Sequence, residues 1–480
     1  MKQKFISNLI LLLALNLLIK PVHILGIEAE VQNRVGPEVY GSYAALISLS
    51  FLLNILLDLG IQNYNTRNIS RYTHLLAKHF PRIIVLRFLL VFLYLGVLLA
   101  AGYGMGYRGI QIEHLALLGL NQALAAFILF FRSNLTGLHL FKQDSLVSVL
   151  DRALLIIMMG ALLWGGFTSS SFDITWFIWG QTIAYGFAFI VSLFIVLRQS
   201  GKFNPIYDKA FNAMILKNSM PYALLFFVMS VYYRSDSIML ERLLDDGNYH
   251  AGVYAMGFRL FEAANMIAYL FAILLLPIFA RLLRENKSIE AVAKLAFKLL
   301  FSGSMILAFT CYMFDTAILE LRYTSEIDIA APIFGILMFS FVFFSVSYVF
   351  GTLMTAAGQM RRLNQIALIG MVINVGLNLL LMWEWKAFGC AIASFSAHAL
   401  VATAQVYLSI KHFKFKKDMR LLTQIGVFVF GLITLAWLST IIEADELLKV
   451  GVFVLGGLAL SLLTGLFRIK GIIELIRSRE

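Results

Sequence analysis

The stretch GVYAMGFRLFEAANMIAYLF, residues 252–271, sets Arg259 and Glu262 three residues apart in an otherwise apolar run. On a helix that spacing puts both side chains on one face, where they can pair. A charge at bilayer depth costs at least about 2.5 kcal/mol, so something must compensate it. Either the two form a neutral internal pair, or Arg259 meets an anion and Glu262 orients it. Arginine suits the second role because its planar fork can make two bonds to a phosphate. Other ionisable residues sit in similar runs: Arg234 and Asp236 in YYRSDS, and Lys20 and His23 on either side of Pro21. Counted from the expected helix ends, Lys20, Arg234 and Arg259 fall at similar depth in the outer half. They are a candidate anion-binding set, with Glu262 and Asp236 as supporting charges. The competing expectation is that Lys20 and Arg234 reach for the outer interface.

Asp58 and Arg67, in LDLGIQNYNTRNISR, mark the inner end of the second apolar segment. They are a candidate inner gate or a plain loop salt bridge. Arg87 lies one turn inside the third segment and is expected to snorkel. His398 falls mid-segment, as a core histidine or a proton-coupling group. Pro21, Pro221, Pro277 and Pro332 fall within or near helix ends, where proline frees a carbonyl and can kink a membrane helix. No G-x-x-x-x-G-K-[ST], H-E-x-x-H or G-x-S-x-G occurs. Cys311 and Cys390 have no CxxC spacing, so neither a metal site nor a disulfide framework is expected. With no cofactor and no nucleotide motif, transport would be passive or driven by an H+ or Na+ gradient.

The elements that must carry these residues are membrane helices. Of 480 residues 60% are hydrophobic and 14% charged, against about a quarter charged in soluble proteins. Fourteen segments have the roughly 20 apolar residues a crossing requires: about 5–27, 40–61, 82–103, 112–132, 146–166, 172–197, 217–243, 251–280, 295–314, 330–355, 363–383, 387–410, 421–442 and 447–467. The basic start of the chain resembles a signal peptide but lacks a small-x-small cleavage site, so it reads as a retained first span. If the N-terminus is cytoplasmic, 29 of the 39 lysines and arginines fall in inside segments and eight outside. Thirteen or fifteen spans would break that alternation, so both termini are expected in the cytoplasm. The same bias accounts for the net charge of +12, and no polar domain exists to bind nucleic acid.

An internal repeat organises the spans. At an offset of 211, Glu30, Gly36, Gly41, Tyr43, Ala44, Leu49, Asn54 and Leu59 fall on Glu241, Gly247, Gly252, Tyr254, Ala255, Leu260, Asn265 and Leu270. Span 2 thus maps onto span 8 with the same direction, giving parallel lobes of six helices each, the arrangement that holds substrate near the midplane. The expected division is 1–200, 201–412 and a two-helix extension, 413–480. Ser48 and Phe51 stand where the second repeat has Arg259 and Glu262, so the charged pair is not a shared packing device.

Three stretches carry a family resemblance: VGPEVYGSYAALISLSFLLNILLDLGIQNYNTR (35–67), the block from MPYALLFFVMSVYYRSDSIMLERLL through AGVYAMGFRLFEAANMIAYLFAILLLPIFARL (220–282), and GTLMTAAGQMRRLNQIALIGMVINVGLNLLLMWEWKAFGCAIAS (351–394). In order and spacing they resemble the polysaccharide transporter family of Wzx-type oligosaccharide flippases, within the multidrug/oligosaccharidyl-lipid/polysaccharide exporter superfamily. The resemblance implies an all-α integral membrane protein of fourteen helices, two lobes in a V about a central cavity, in a bacterial cytoplasmic membrane. It implies movement of an undecaprenyl-diphosphate-linked oligosaccharide, an O-antigen, capsule or exopolysaccharide unit, to the outer leaflet. Cavity cations would hold the diphosphate, and a glycan polymerase and glycosyltransferases would be partners. The alternatives are a lipid II flippase, a multidrug antiporter of the same superfamily, and a membrane glycan polymerase or ligase. The first span, read as 5–27, holds Lys20 and His23 but no acid, which disfavours cationic drugs as cargo.

Overall fold

A computed structural model describes residues 14–61, 75–138, 140–166, 172–200, 205–441 and 443–467. Among them there is no strand, and twelve helices are long and apolar enough to cross a membrane. In order these are α1 (Ala14–Asp58), α2 (Leu75–Gly104), α3 (Ile110–Gly137), α4 (Phe141–Trp164), α5 (Ile174–Ser200), α6 (Lys209–Leu243), α7 (Gly247–Arg284), α8 (Glu290–Met313), α9 (Ile327–Ala356), α10 (Met360–Phe413), α11 (Met419–Ile441) and α12 (Glu446–Leu463). The segments expected as spans 1 and 2 are limbs of α1, and those expected as 11 and 12 are limbs of α10.

Two residues explain the fusions. A straight helix of 54 residues would be about 81 Å long at 1.5 Å per residue, far more than a bilayer. In α10 the helix breaks at Lys386, with φ 50° and ψ −132°. Asn374 Nδ2 donates to Ser394 Oγ at 3.3 Å across that break, so the limbs lie side by side. In α1 the break is Gly36, with φ 78° and ψ 168°, a conformation glycine adopts without a Cβ penalty. Pro37 follows at the first helical position, where its missing N–H costs nothing.

The N-terminal limb of α1 is not uniform. Pro21 cannot donate an amide to the preceding turn, and Val22–Glu28 widens into a π-helix in which Ala29 N–H reaches Ile24 O. The limb continues helically beyond residue 27, where the sequence suggested an outer loop, as far as the Gly36 break. The other limb is interrupted again at Leu53–Asn54. There Tyr94 donates to Ser50 O at 2.9 Å and Asn54 Nδ2 to Gln122 Oε1 at 3.0 Å. These bonds occupy groups that the interruption releases.

The chain forms two compact units, 1–252 and 253–480. The core of the first is an aromatic cluster in which Phe80 stacks on Phe130, with Phe127, Phe131 and Phe189 beside it. In the second, α8, α9 and α10 pack around Phe261, Phe344 and Leu353. α11 and α12 pair with each other and lie against α8, where Ile306 meets the Gly457 position. Outward faces are apolar too: Phe92 is 71% and Leu463 83% exposed. Such faces belong against lipid, where exposure of large apolar side chains carries no hydrophobic penalty.

Candidate functional site

Arg259 and Glu262 do lie on one face of α7 and pair, with Nη1 to Oε2 at 2.6 Å. Arg259 is 7% exposed and stands twelve residues into the helix, about 18 Å from its N-terminal end at 1.5 Å per residue. It is flanked by an aromatic run: Tyr254 stacks on Phe258, and Phe258 neighbours Phe261.

The other sequence candidates fall in different surroundings. Arg234 sits in α6, about 14 Å from its C-terminal end, with its guanidinium 4.5 Å from the Phe51 ring centroid and 5.1 Å from that of Tyr233. A cation over an aromatic face is held partly by the ring quadrupole. Asp236 is 2% exposed on the same helix. Lys20 stands on the N-terminal limb of α1, sixteen residues before the Gly36 break. Its electrostatic neighbours are Arg152, Arg132 and Asp151, and Asn16, one turn earlier, donates to Ser148 of α4 at 3.0 Å.

Asp58 pairs with Arg87, and this corrects the reading of Arg87 as a snorkelling residue. Arg87 is 2% exposed, donates to Ala126 O at 3.1 Å and lies 4.6 Å from the Phe130 ring centroid. Arg67 lies outside the described residues. His398 is 5% exposed beside Phe344 and Phe261, with ring centroids 5.0 and 6.3 Å away.

Several charged groups were not found as site candidates from the sequence. Glu28 is 8% exposed and lies 3.6 Å from His23, five residues apart, a spacing that the i→i+5 register of the π-helix brings together. Glu28 overturns the expectation that the first span carries no acid. Further along the first unit, Arg132 pairs with Asp144 at 2.7 Å and Arg152 with Asp151 at 2.9 Å. The two arginines are on α3 and α4, with Asp144 and Asp151 buried. Every third or fourth position of α4 is polar over 141–152, and that periodicity was the available signal. At the C-terminal end of α6, Tyr107 donates to Glu241 Oε2 at 2.8 Å, Glu241 pairs with Arg242, and Arg242 donates to Met105 O at 3.0 Å. Burial raises the Tyr107 phenol well above its usual range, and the adjacent Glu241 carboxylate adds to this.

Among the described residues no group of three histidines, cysteines or carboxylates is placed to hold a metal. Charges are therefore met by opposite charges, aromatic faces and backbone carbonyls. Such a set can bind and release an ion or an anionic head group without bond chemistry.

The polysaccharide biosynthesis protein family model matches residues 5–283. No curated protein shows significant sequence similarity to the chain. Among solved structures, a lipid II flippase, MurJ, in an inward closed conformation is similar over 95% of this chain and 98% of its own, with TM-score 0.69 and 15% identity. An inward-facing multidrug resistance MATE family transporter of the MOP superfamily is similar over 84% of this chain and 98% of its own, with TM-score 0.64 and 14% identity. A MOP superfamily transporter from Pyrococcus furiosus, described as having a binding pocket of reverse polarity, gives TM-score 0.56 at 14% identity over 84% of this chain and 95% of its own.

Proposed function

The chain belongs to the polysaccharide biosynthesis protein family, and from that premise we propose that it moves a lipid-diphosphate-linked oligosaccharide from the inner to the outer leaflet of a bacterial cytoplasmic membrane. The observation that carries this reading is the likeness of nearly the whole chain to a lipid II flippase fold in a family of polysaccharide biosynthesis. The two together favour a glycan on a lipid carrier over a soluble solute.

In this reading Arg259 contacts the diphosphate or an acidic sugar as the head group passes at mid-depth. Glu262 keeps the empty passage near neutrality and aims the guanidinium. Arg234 and Lys20 are further contact points, at different depths. The sugar travels in a hydrated passage while the lipid tail stays in the bilayer. Direction comes from an H+ or Na+ gradient or from consumption of the product, since a carrier with equal affinity on both sides only equilibrates. His398 is the candidate proton carrier, and a polymerase acting on the outer leaflet is the candidate consumer. The expected lobes are 1–200 and 201–412, moving about one central site.

The second reading, a multidrug antiporter, is favoured by one observation. Glu28, Asp144 and Asp151 give the first unit buried carboxylates, so the sign of its charges no longer argues against cations.

The test is a deletion strain, with the lipid-linked intermediate assayed on each leaflet. Loss of surface glycan with intermediate held on the cytoplasmic leaflet is the expected result. Full-length intermediate on the outer leaflet, unpolymerised or unligated, would overturn transport in favour of an enzyme. An unchanged glycan with altered drug tolerance would favour the antiporter.

A further inference from the structure

Residues 281–298 and 411–420 hold ten lysines and arginines against three carboxylates. They are the end of α7 with the connection into α8, and the turn from α10 into α11, all within the second unit. Each carboxylate is already engaged. Glu285 lies 2.9 Å from Arg281 and 2.8 Å from Lys287, and Lys294 Nζ lies 2.8 Å from Glu290 and 2.9 Å from Asp418. Glu290 also accepts the Lys416 amide at 3.3 Å, so the two connections are tied to each other. Among the described residues Arg284, Lys411, Lys414, Lys416, Lys417 and Arg420 are exposed and make no ion pair. The bias of basic residues toward one side of a membrane accounts for such an excess. It does not account for what the two connections enclose.

Between them lies a cavity of about 300 Å³, lined by Asn286, Lys287, Ser288 and Glu290 from the first connection and by Phe413 and Phe415 from the second. Two matching turns shape it. Asn286 and Lys414 hold left-handed backbone, φ 51° and 53°. The residue after each returns its amide five residues back, Lys287 to Leu282 O at 2.9 Å and Phe415 to Ile410 O at 3.1 Å. This Schellman arrangement closes both helix ends and sets Lys287 and Phe415 at the cavity wall. Phe413 and Phe415 stack, with ring centroids 6.0 Å apart at 29°, so one wall is apolar. Large apolar side chains are exposed nearby on the adjoining helices: Tyr407 61% and Ile410 44% on α10, and Leu422 60% on α11. The cavity thus lies where apolar helix surface gives way to cations. An anion carried on an apolar chain suits all three features.

We propose that this cavity holds the phosphate headgroup of an anionic phospholipid, a resident lipid distinct from any cargo. Lys287, with Lys414 and Lys416 on either side of Phe415, meets the phosphate, and lysine serves such a group as a point charge. Asn286 and Ser288 bond its ester and glycerol oxygens. The Phe413–Phe415 wall and the apolar surface of α10 take the start of the acyl chains. Glu290 does not repel the phosphate, because Lys294 neutralises it. Basic pockets between membrane helices hold headgroups of this class. A free phosphate would use the cations and leave the phenyl wall idle. The site stands whatever the chain transports.

The experiment titrates the full-length chain, in a neutral detergent, with dioleoylphosphatidylglycerol or dioleoylphosphatidylcholine and counts bound lipid by native mass spectrometry. Phosphatidylglycerol should bind about tenfold or more tightly than phosphatidylcholine. Lys287→Gln/Lys414→Gln/Lys416→Gln should abolish that preference. Ser288→Trp, which fills the cavity and leaves the charge unchanged, should abolish it too. Lys142→Gln/Arg198→Gln/Lys209→Gln removes the same charge from exposed positions of the first unit and should preserve it. Equal binding of the two lipids by the native chain overturns the proposal. So does a preference that survives Ser288→Trp, since diffuse charge then suffices. Displacement of phosphatidylglycerol by equimolar undecaprenyl diphosphate would give the cavity to a diphosphate-linked cargo and overturn it as well. Should Ser288→Trp fail to accumulate, Ser288→Cys capped with a bulky maleimide after purification applies the same block, Cys311 and Cys390 being buried.

Discussion

At the scale of single residues, two buried ion pairs look alike and differ in what removal should reveal. Arg87 is shielded among α2, α3 and the end of α1, donating to Asp58 and a backbone carbonyl. Removing one partner of a buried pair leaves an uncompensated charge and costs about 3–5 kcal/mol, whereas replacing both with apolar groups is often neutral. Asp58→Ala is thus expected to lower thermal stability in detergent sharply, and Arg87→Met/Asp58→Ala to recover most of the loss. A double variant as unstable as the single one would refute this account. The Arg259–Glu262 pair has the same physics with a further readout. Glu262→Gln should destabilise, and Arg259→Met/Glu262→Met should restore stability. If Arg259 serves only packing, export returns with stability. If it meets an anionic head group, export stays lost in the stable double variant, and surface glycan measured against protein level decides.

At the scale of elements, the C-terminal end of α6 is fastened to the α2–α3 connection by Tyr107, Glu241 and Arg242. Tyr107→Phe removes one hydrogen bond to a charged acceptor, worth about 1.5–3 kcal/mol. The phenol's folded pKa is raised, mainly by burial. Its contribution is therefore fully present below the unfolded value near 10 and is lost as pH climbs beyond it. Unfolding followed from pH 8 to 11 should show the native chain losing stability at the alkaline end relative to Tyr107→Phe. Parallel pH curves would remove the buried hydrogen bond from the account. The sequence disclosed most elements here, because a bilayer crossing leaves a long apolar run that needs no partner to be seen. It did not disclose where α1 bends. The π-turn after Pro21 and the break at Gly36 depend on hydrogen-bond register, which hydropathy does not encode. Arg87 was misread for a different reason: its carboxylate lies 29 residues away, and no local pattern announces a partner so distant. Arg259 was legible because its partner is one turn along the same helix.

At the scale of the whole molecule, the charge distribution predicts a topology that the fold leaves testable. Connections rich in Lys and Arg resist translocation, so the loops after α7, α9 and α10 should face the cytoplasm, and those after α2, α6 and α11 the outside. One of the connections predicted to face the cytoplasm carries a tether: Lys294 on α8 meets Asp418 at 2.9 Å, ahead of α11. The hydrogen bond from Lys294 holds the Asp418 carboxyl below its usual range, so protonation in acid loosens this tether. Single cysteines at Asn286, Gly358 and Lys416 should be shielded from an impermeant thiol reagent in intact cells and react after permeabilisation. Cysteines at Arg108 and Asp445 should react in both. The pattern constrains α10 most tightly. Gly358 and Lys416 flank its two limbs, and finding both on the same side requires the chain to cross twice between them, turning at Lys386. Finding them on opposite sides would mean that the 54-residue helix crosses once, and the parallel repeat, which needs span 2 and span 8 to run in one direction, would have to be rebuilt with a different number of crossings.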